Sequence, residues 1–128
     1  MKKIVVFSLD QKNKVVSPED ISTIEGIFYQ SNLIARRALG LYKGELEKSF
    51  IVEIDQDIQV DLIRAIARAY NQESILSVDA KTKEVTQEFL LDENKVKKQI
   101  LGHWVKTDKI NPDGMTLDLK TMKAYEVK

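Results

Sequence analysis

Cysteine is absent from this 128-residue chain, histidine occurs once and proline twice. The missing thiols exclude disulfides, thiolate metal sites and a cysteine nucleophile, and they suit a reducing cytoplasm. The single histidine, His103, argues against a zinc centre, which needs several imidazole or thiolate ligands. Neither charge sign is in excess: 20 basic residues face 20 acidic ones. Duplex nucleic acid is therefore not an expected partner, since its binding rests on a basic surface. Long apolar runs are also missing. The run Ile4-Val5-Val6-Phe7-Ser8-Leu9 gives way at once to Asp10-Gln11-Lys12, too soon for a secretory signal and far short of the ~20 residues of a membrane span. No activated nucleophile, metal cluster or glycine-rich phosphate loop is legible. No catalytic residue, metal ligand or cofactor is assigned on this ground, and a soluble cytoplasmic protein without a membrane partner is expected.

What is present describes an ordinary globular chain. Hydrophobic residues make up 43% and charged residues 31%, enough for one core and one domain over 1–128. The β-branched run at 4–9 predicts a first strand, a polar turn follows over 10–14, and Val15-Val16 suggests a brief return strand. Ser17-Pro18-Glu19-Asp20 is a helix start, with a capping hydroxyl, a proline suited to the first turn, and two acids at the positive dipole end. Apolar residues then recur at Ile21, Ile24, Ile27, Phe28, Ile34, Ala35 and Ala38. That spacing allows one helix as far as Leu39 capped by Gly40, or a break at Ser31-Asn32 followed by a second short helix.

A strand is expected over 49–54 and a helix opened by Asp55 or Asp57 and running to Tyr70. Leu62, Ile63, Ile66, Ala69 and Tyr70 would form its inner face. Further strands are expected at 74–78 and 85–91, with turns at 79–83 and 92–95. Residues 95–101 fit helix or strand equally well. Asn111-Pro112-Asp113-Gly114 forms a tight turn, and 115–119 with 124–127 suit a closing hairpin. The expected fold is α+β: a single domain with a mixed sheet, two or three helices on one face, a β-α-β unit at about 48–79 and a C-terminal β-meander. The crossover rule makes strands 49–54 and 74–78 parallel neighbours.

That arrangement would gather the polar residues preceding the two strands: Tyr42, Lys43, Glu47 and Ser49 with Gln72, Glu73 and Ser74. Arg36 or Arg37 would reach toward the loop at Tyr42. Carboxylates, hydroxyls and an amide offer directional hydrogen bonds, and Lys43 with Arg36 would neutralise an anion. These seven, with Arg36, are the expected ligand contacts. Against this, parallel sheets bind ligands at the carboxyl ends of strands, and this group lies at the amino ends. Arg64 and Arg68, four apart on a helix, read as a solvated face rather than a phosphate clamp. His103 and Trp104 should point to opposite faces of a strand, with Trp104 in the core.

The segments Leu39-Gly40-Leu41-Tyr42-Lys43-Gly44, Glu47-Lys48-Ser49-Phe50 and Tyr70-Asn71-Gln72-Glu73-Ser74 resemble small bacteriophage and bacterial proteins that share a Tyr-Lys-Gly, Glu-x-Ser-Phe and Gln-Glu-Ser pattern. The similarity covers about residues 39–79 and extends toward the tail at 102–125. It implies a phage or mobile-element accessory protein and brings no particular activity with it.

The leading expectation is a non-catalytic binding or inhibitory protein, monomer or homodimer, that captures a small polar or anionic, nucleotide-like ligand or a host protein. One alternative is a small hydrolase or transferase with Glu47 or Glu73 as general base. Another is an interaction module docking through an apolar patch at Leu33, Leu41 and Leu46.

Overall fold

The computed structural model describes residues 1–11, 14–90 and 97–128. Strand β1 (Lys3–Ser8) turns Val5 and Phe7 to one face and Ile4 and Val6 to the other, and hydrophobic clusters cover both. A strand buried on two sides reads as a continuous apolar run because alternation has no polar face to show.

Helix α1 (Pro18–Gln30) begins as its sequence directs, with the Ser17 hydroxyl accepting from the Asp20 N–H at 3.1 Å. It ends earlier than the apolar spacing allows. Asn32 takes φ +58°, the Asn32 N–H donates to the Tyr29 carbonyl, and the Leu33 N–H donates to the Phe28 carbonyl. This left-handed cap closes the helix. The expected continuation to Leu39 is therefore wrong, and no second short helix forms. Residues Ala35–Tyr42 are strand β2, in which Arg36 and Arg37 face opposite sides. Helical spacing of Ile34, Ala35 and Ala38 points the other way, whereas on the strand Ala35 packs on the outer core, Ala38 joins the inner one and Ile34 is exposed. Val15 and Val16, expected as a short strand, lie in an irregular link.

Strand β3 (Glu45–Ile54) follows through a two-residue turn. Lys43 and Gly44 both have positive φ, +50° and +81°, the backbone of the primed turns that join twisted strands. Helix α2 (Gln59–Ala69) is not capped by Asp55 or Asp57; instead the Gln59 side chain reaches back to accept from the N–H groups of Asp55 and Gln56. It ends like α1, on a left-handed Asn71 with the Gln72 N–H on the Ala67 carbonyl. Strands β4 (Ser74–Asp79), β5 (Glu84–Phe89), β6 (Lys97–Thr107), β7 (Met115–Asp118) and β8 (Lys123–Val127) complete the chain. Residues 97–101 are thus strand. The turn expected at 92–95 lies outside the described residues, as do 95, 96 and the end of the strand expected at 85–91.

The eight strands close into a barrel in the order β1-β3-β2-β7-β8-β6-β5-β4, and every pairing is antiparallel. The expectation of an open α+β mixed sheet is overturned. Strands β3 and β4 point the same way but are not neighbours, because β1 lies between them, antiparallel to both. Nor is the C-terminal part a meander: β6 pairs with β8, and β7 lies beyond it against β2. Pairing between segments far apart in sequence leaves no local pattern, so neither the intercalation of β1 nor the closure is visible in the chain.

Two cores result. Outside the barrel, Ile21, Ile24 and Phe28 of α1 and Val60, Ile63, Ile66 and Ala67 of α2 bury Val5, Phe7, Phe50, Val52, Ile54 and Ile75. Phe7, Phe28 and Phe50 form a triangle with centroids 5.5–6.2 Å apart, and each such pair adds about 0.5–1.5 kcal/mol beyond its buried area. Leu62 and Tyr70 pack at the margin. Inside the barrel, Val6, Ala38, Ile51, Val78, Val85 and Trp104 form a plug. An eight-stranded barrel is just narrow enough for side chains to fill.

Candidate functional site

The apolar plug separates two polar ends of the lumen. At one end, Ser8 and Ser49 share a hydrogen bond of 3.0 Å across β1 and β3, and Ser49 also donates to the Glu47 carbonyl. Gln87 donates to the Ser74 hydroxyl at 2.9 Å, and Gln99 donates to Gln87 at 3.0 Å. Asp10 ties this end together. Its carboxylate accepts from the N–H groups of Val16 and Lys48, and its carbonyl accepts from Gln72 Nε2.

Seven of the expected ligand contacts belong to this end, in differing roles. Ser49 is buried and Ser74 half-buried. Glu47 is half-buried, Glu73 is exposed, and the Glu73 carbonyl accepts from the Leu90 N–H. Gln72 is engaged with Asp10 and with the Tyr70 carbonyl. Tyr42 ends β2 and Lys43 opens the turn after it, with the ammonium 5.2 Å from the ring centroid. The structure does bring the starts of β3 and β4 to one end, through their common partner β1. It does not bring Arg36 there. Arg36 stands six positions before Tyr42 on the same strand, about 20 Å away at strand rise.

The other end carries buried ion pairs and an aromatic stack. Arg36 enters the lumen beside Ile51, its partner across the β2–β3 pair. Its Nε donates to Asp118 at 2.8 Å and its Nη1 to Glu53 at 2.6 Å. Asp118 sits on β7, two residues beyond the register position that faces Gly40, and is 2% exposed. Burial pushes its carboxyl up, but the Arg36 guanidinium and the N–H groups of Lys120 and Thr121 outweigh this, and the group titrates below its ordinary value. Trp104 and Tyr125 stack at 5.3 Å with planes 13° apart, and Trp104 lies in the core as its strand position required. Asp79, the last residue of β4, accepts from the N–H groups of Lys81 and Thr82, which lower its pKa.

Of these side chains, Arg36, Ile51, Asp79, Trp104, Asp118 and Tyr125 line a cavity of about 340 Å³, with Met1, Ile4, Val78, Lys83 and Lys106 among its walls. That volume lies at the lower end of the ~300–1,000 Å³ of small-molecule sites. It joins an aromatic wall, two acids and three cations. Sequence reasoning grouped only Arg36 of this set. Glu53, Asp118, Trp104 and Tyr125 come from β3, β7, β6 and β8, and no spacing announces their meeting.

The remaining sequence candidates have structural work. Arg64, expected on a solvated face, instead holds buried Glu88 and exposed Asp61. Arg68 donates to the Leu90 carbonyl. His103 is exposed and its backbone exchanges hydrogen bonds with Lys128. Leu33 is buried, Leu41 half-buried and Leu46 exposed, so the three do not form one exposed patch. Among the described residues no group of acids and histidine is arranged to hold a metal, and no helix is long and apolar enough to cross a membrane.

No curated protein matches the chain. A family model described as the S-Adenosylmethionine lyase family matches residues 11–128. This match overturns the expectation of a non-catalytic binding or inhibitory protein, because the family is named for an enzyme that cleaves a bond. The matched span takes in the chain from Gln11 to its last residue, and the protein belongs to the S-adenosylmethionine lyase family.

Proposed function

We propose that this protein is a lyase that cleaves S-adenosylmethionine in the cavity lined by Arg36, Asp118, Trp104 and Tyr125. The observation that carries the reading is the chemistry of that mouth, taken with the family match. S-adenosylmethionine presents an aromatic base, a sulfonium, an ammonium and a carboxylate. The mouth offers an aromatic pair, carboxylates and cations within about 340 Å³. The Tyr125 and Trp104 rings suit stacking with adenine and attract the sulfonium through their π faces. Asp118, held ionised by Arg36, supplies negative potential to the cationic sulfur.

A lyase breaks the C–S bond without water, and the substrate carries what is needed. Its own carboxylate oxygen attacks the γ carbon, a five-membered ring closes, and the C–S electron pair goes to sulfur. The products are homoserine lactone and the neutral thioether 5′-methylthioadenosine, with no proton gained or lost at the reacting atoms. This route asks the protein only to orient the chain and exclude water. Removal of a poorly acidic β proton would demand a strong base, and Asp118, with its lowered pKa, is a weak one. The phage or mobile-element setting implied by residues 39–79 suits such an activity, because consuming the methyl donor would deprive a host's methyltransferases of it.

Incubation of the purified protein with S-adenosylmethionine in H₂¹⁸O, quenched early and resolved by mass spectrometry, tests this. The expected result is 5′-methylthioadenosine with unlabelled lactone. Homoserine as first product with ¹⁸O in its hydroxyl would replace the lyase with a hydrolase, and unchanged substrate would refute the reading.

A further inference from the structure

The turn ahead of β7 joins an exposed aspartate to a glycine, Asp113-Gly114, and no other aspartate of the chain is followed by glycine. The turn is loosely held. The Gly114 N–H donates to the Asn111 carbonyl at 3.3 Å, beyond the usual range of about 2.7–3.2 Å. The Asp113 N–H donates to Asn111 Oδ1 at 3.1 Å. A Cβ built on Gly114 meets nothing within 4 Å, so its nitrogen has open space around it. Other aspartates are engaged. The carboxylates of Asp10, Asp79 and Asp118 accept from backbone N–H groups, and those of Asp55, Asp57 and Asp61 pair with cations.

We propose that Asp113 is a self-modification site, at which the Gly114 nitrogen attacks the Asp113 side-chain carboxyl and converts the residue to isoaspartate through a cyclic imide. In the closing step the bond from nitrogen to Cγ forms and one bond from Cγ to oxygen breaks. That oxygen leaves as water, taking the amide proton and one proton from solvent. Water then reopens the five-membered ring. Attack at Cγ restores aspartate, whereas attack at the main-chain carbonyl leaves isoaspartate, whose main chain runs through Cβ and Cγ and is one carbon longer. Glycine confines the reaction to this turn, because a side chain on the following residue crowds the nitrogen as it approaches Cγ. The lengthened chain leads straight into β7, whose first residue, Met115, pairs with Leu41. The same turn holds the β2–β3 turn, since the Pro112 carbonyl accepts from the Gly44 N–H at 2.8 Å. Isomerisation therefore loosens the join between the two turns.

Incubation of the intact protein in H₂¹⁸O at neutral pH, then digestion in ordinary water and mass spectrometry of the peptides, is the test. Each passage through the imide leaves one ¹⁸O in residue 113, whichever way the ring opens. Asp108 is the internal control, being equally exposed but followed by lysine. Label and isoaspartate should accumulate at Asp113 about tenfold faster than at Asp108, a modest difference in the ring-closing barrier. Gly114→Ala, which places its methyl group in open space, should slow labelling of Asp113 about tenfold. Hydrogen exchange at the Gly44 amide should be faster in the isomerised fraction than in the fresh protein. Equal rates at Asp113 and Asp108, label without isoaspartate, or a Gly114→Ala variant that keeps the parental rate overturns the proposal.

Discussion

Arg64 grips Glu88 with two hydrogen bonds, Nε to Oε2 at 2.6 Å and Nη2 to Oε1 at 2.8 Å, and so fastens α2 to the outer face of β5. The carboxylate is 6% exposed, so it depends on this partner. Replacing Arg64 with alanine leaves a buried charge and should cost about 3 kcal/mol in urea denaturation. Hydrogen bonding from Arg64 lowers the Glu88 pKa, against the opposing effect of burial. Its folded value lies below the ~4.3 of an unfolded glutamate. The stabilisation is therefore complete above that unfolded value and is lost as pH falls through the folded one. Denaturation between pH 7 and 3 should show a shallower acid decline for Glu88→Gln than for the parent protein.

Asp10 ties its own turn to β3 and to the end of α2. Its Oδ1 accepts from Val16 at 2.8 Å and its Oδ2 from Lys48 at 2.7 Å. Asp10→Ala should lose two charge-assisted bonds, about 1.5–3 kcal/mol each before relaxation. Asp10→Asn keeps one acceptor and should lose about half as much. Hydrogen exchange at the Lys48 amide provides a local readout, and rapid exchange confined to that amide and Val16 is the expected pattern.

Gly102 cannot accept a side chain. Its φ is +142°, and an added Cβ would meet the Lys128 carbonyl oxygen at 2.5 Å. The neighbouring His103 exchanges two backbone hydrogen bonds with Lys128, at 2.7 and 2.9 Å. Gly102→Ala should cost about 1–3 kcal/mol through backbone strain and the broken clasp. Gly114→Ala, with no atom within 4 Å of its added carbon, should stay within about 0.5 kcal/mol of the parent. Thermal unfolding of the two variants side by side is the measurement.

Tyr125 should matter to the substrate more than to the fold. It is half-buried, stacks on Trp104 and lines the cavity. Tyr125→Phe keeps the ring and should leave KM for S-adenosylmethionine within about twofold, while Tyr125→Leu should raise it about tenfold, the value of one aromatic stacking contact. Equal KM values for the two variants would remove the aromatic wall from the site.

Local features of the fold were legible wherever the determining interaction was itself local. Ser17-Pro18-Glu19-Asp20 starts α1, Asn111-Pro112-Asp113-Gly114 turns, and the inner face of α2 buries Ile63 and Ile66. A cap or an amphipathic stripe is satisfied within a few residues, so the chain carries its own record of it. The Asn32 cap was within the same reach and was left as one of two options, because the apolar spacing continued in helical phase beyond it.

Of the candidate cavity, the sequence by itself singled out only Arg36, and the other residues it grouped do not line that cavity. Composition alone removed cysteine chemistry, and the family match alone directs the reading to S-adenosylmethionine. Only the tertiary structure decided that the sheet closes, that β1 separates β3 from β4, and that Arg36, Glu53, Asp118, Trp104 and Tyr125 meet at one mouth. The physical reason is that strand pairing is a contact between distant segments. Each strand presents the same alternating pattern to any partner, so the register that brings Asp118 within 2.8 Å of Arg36 across 82 positions exists only once the barrel is closed.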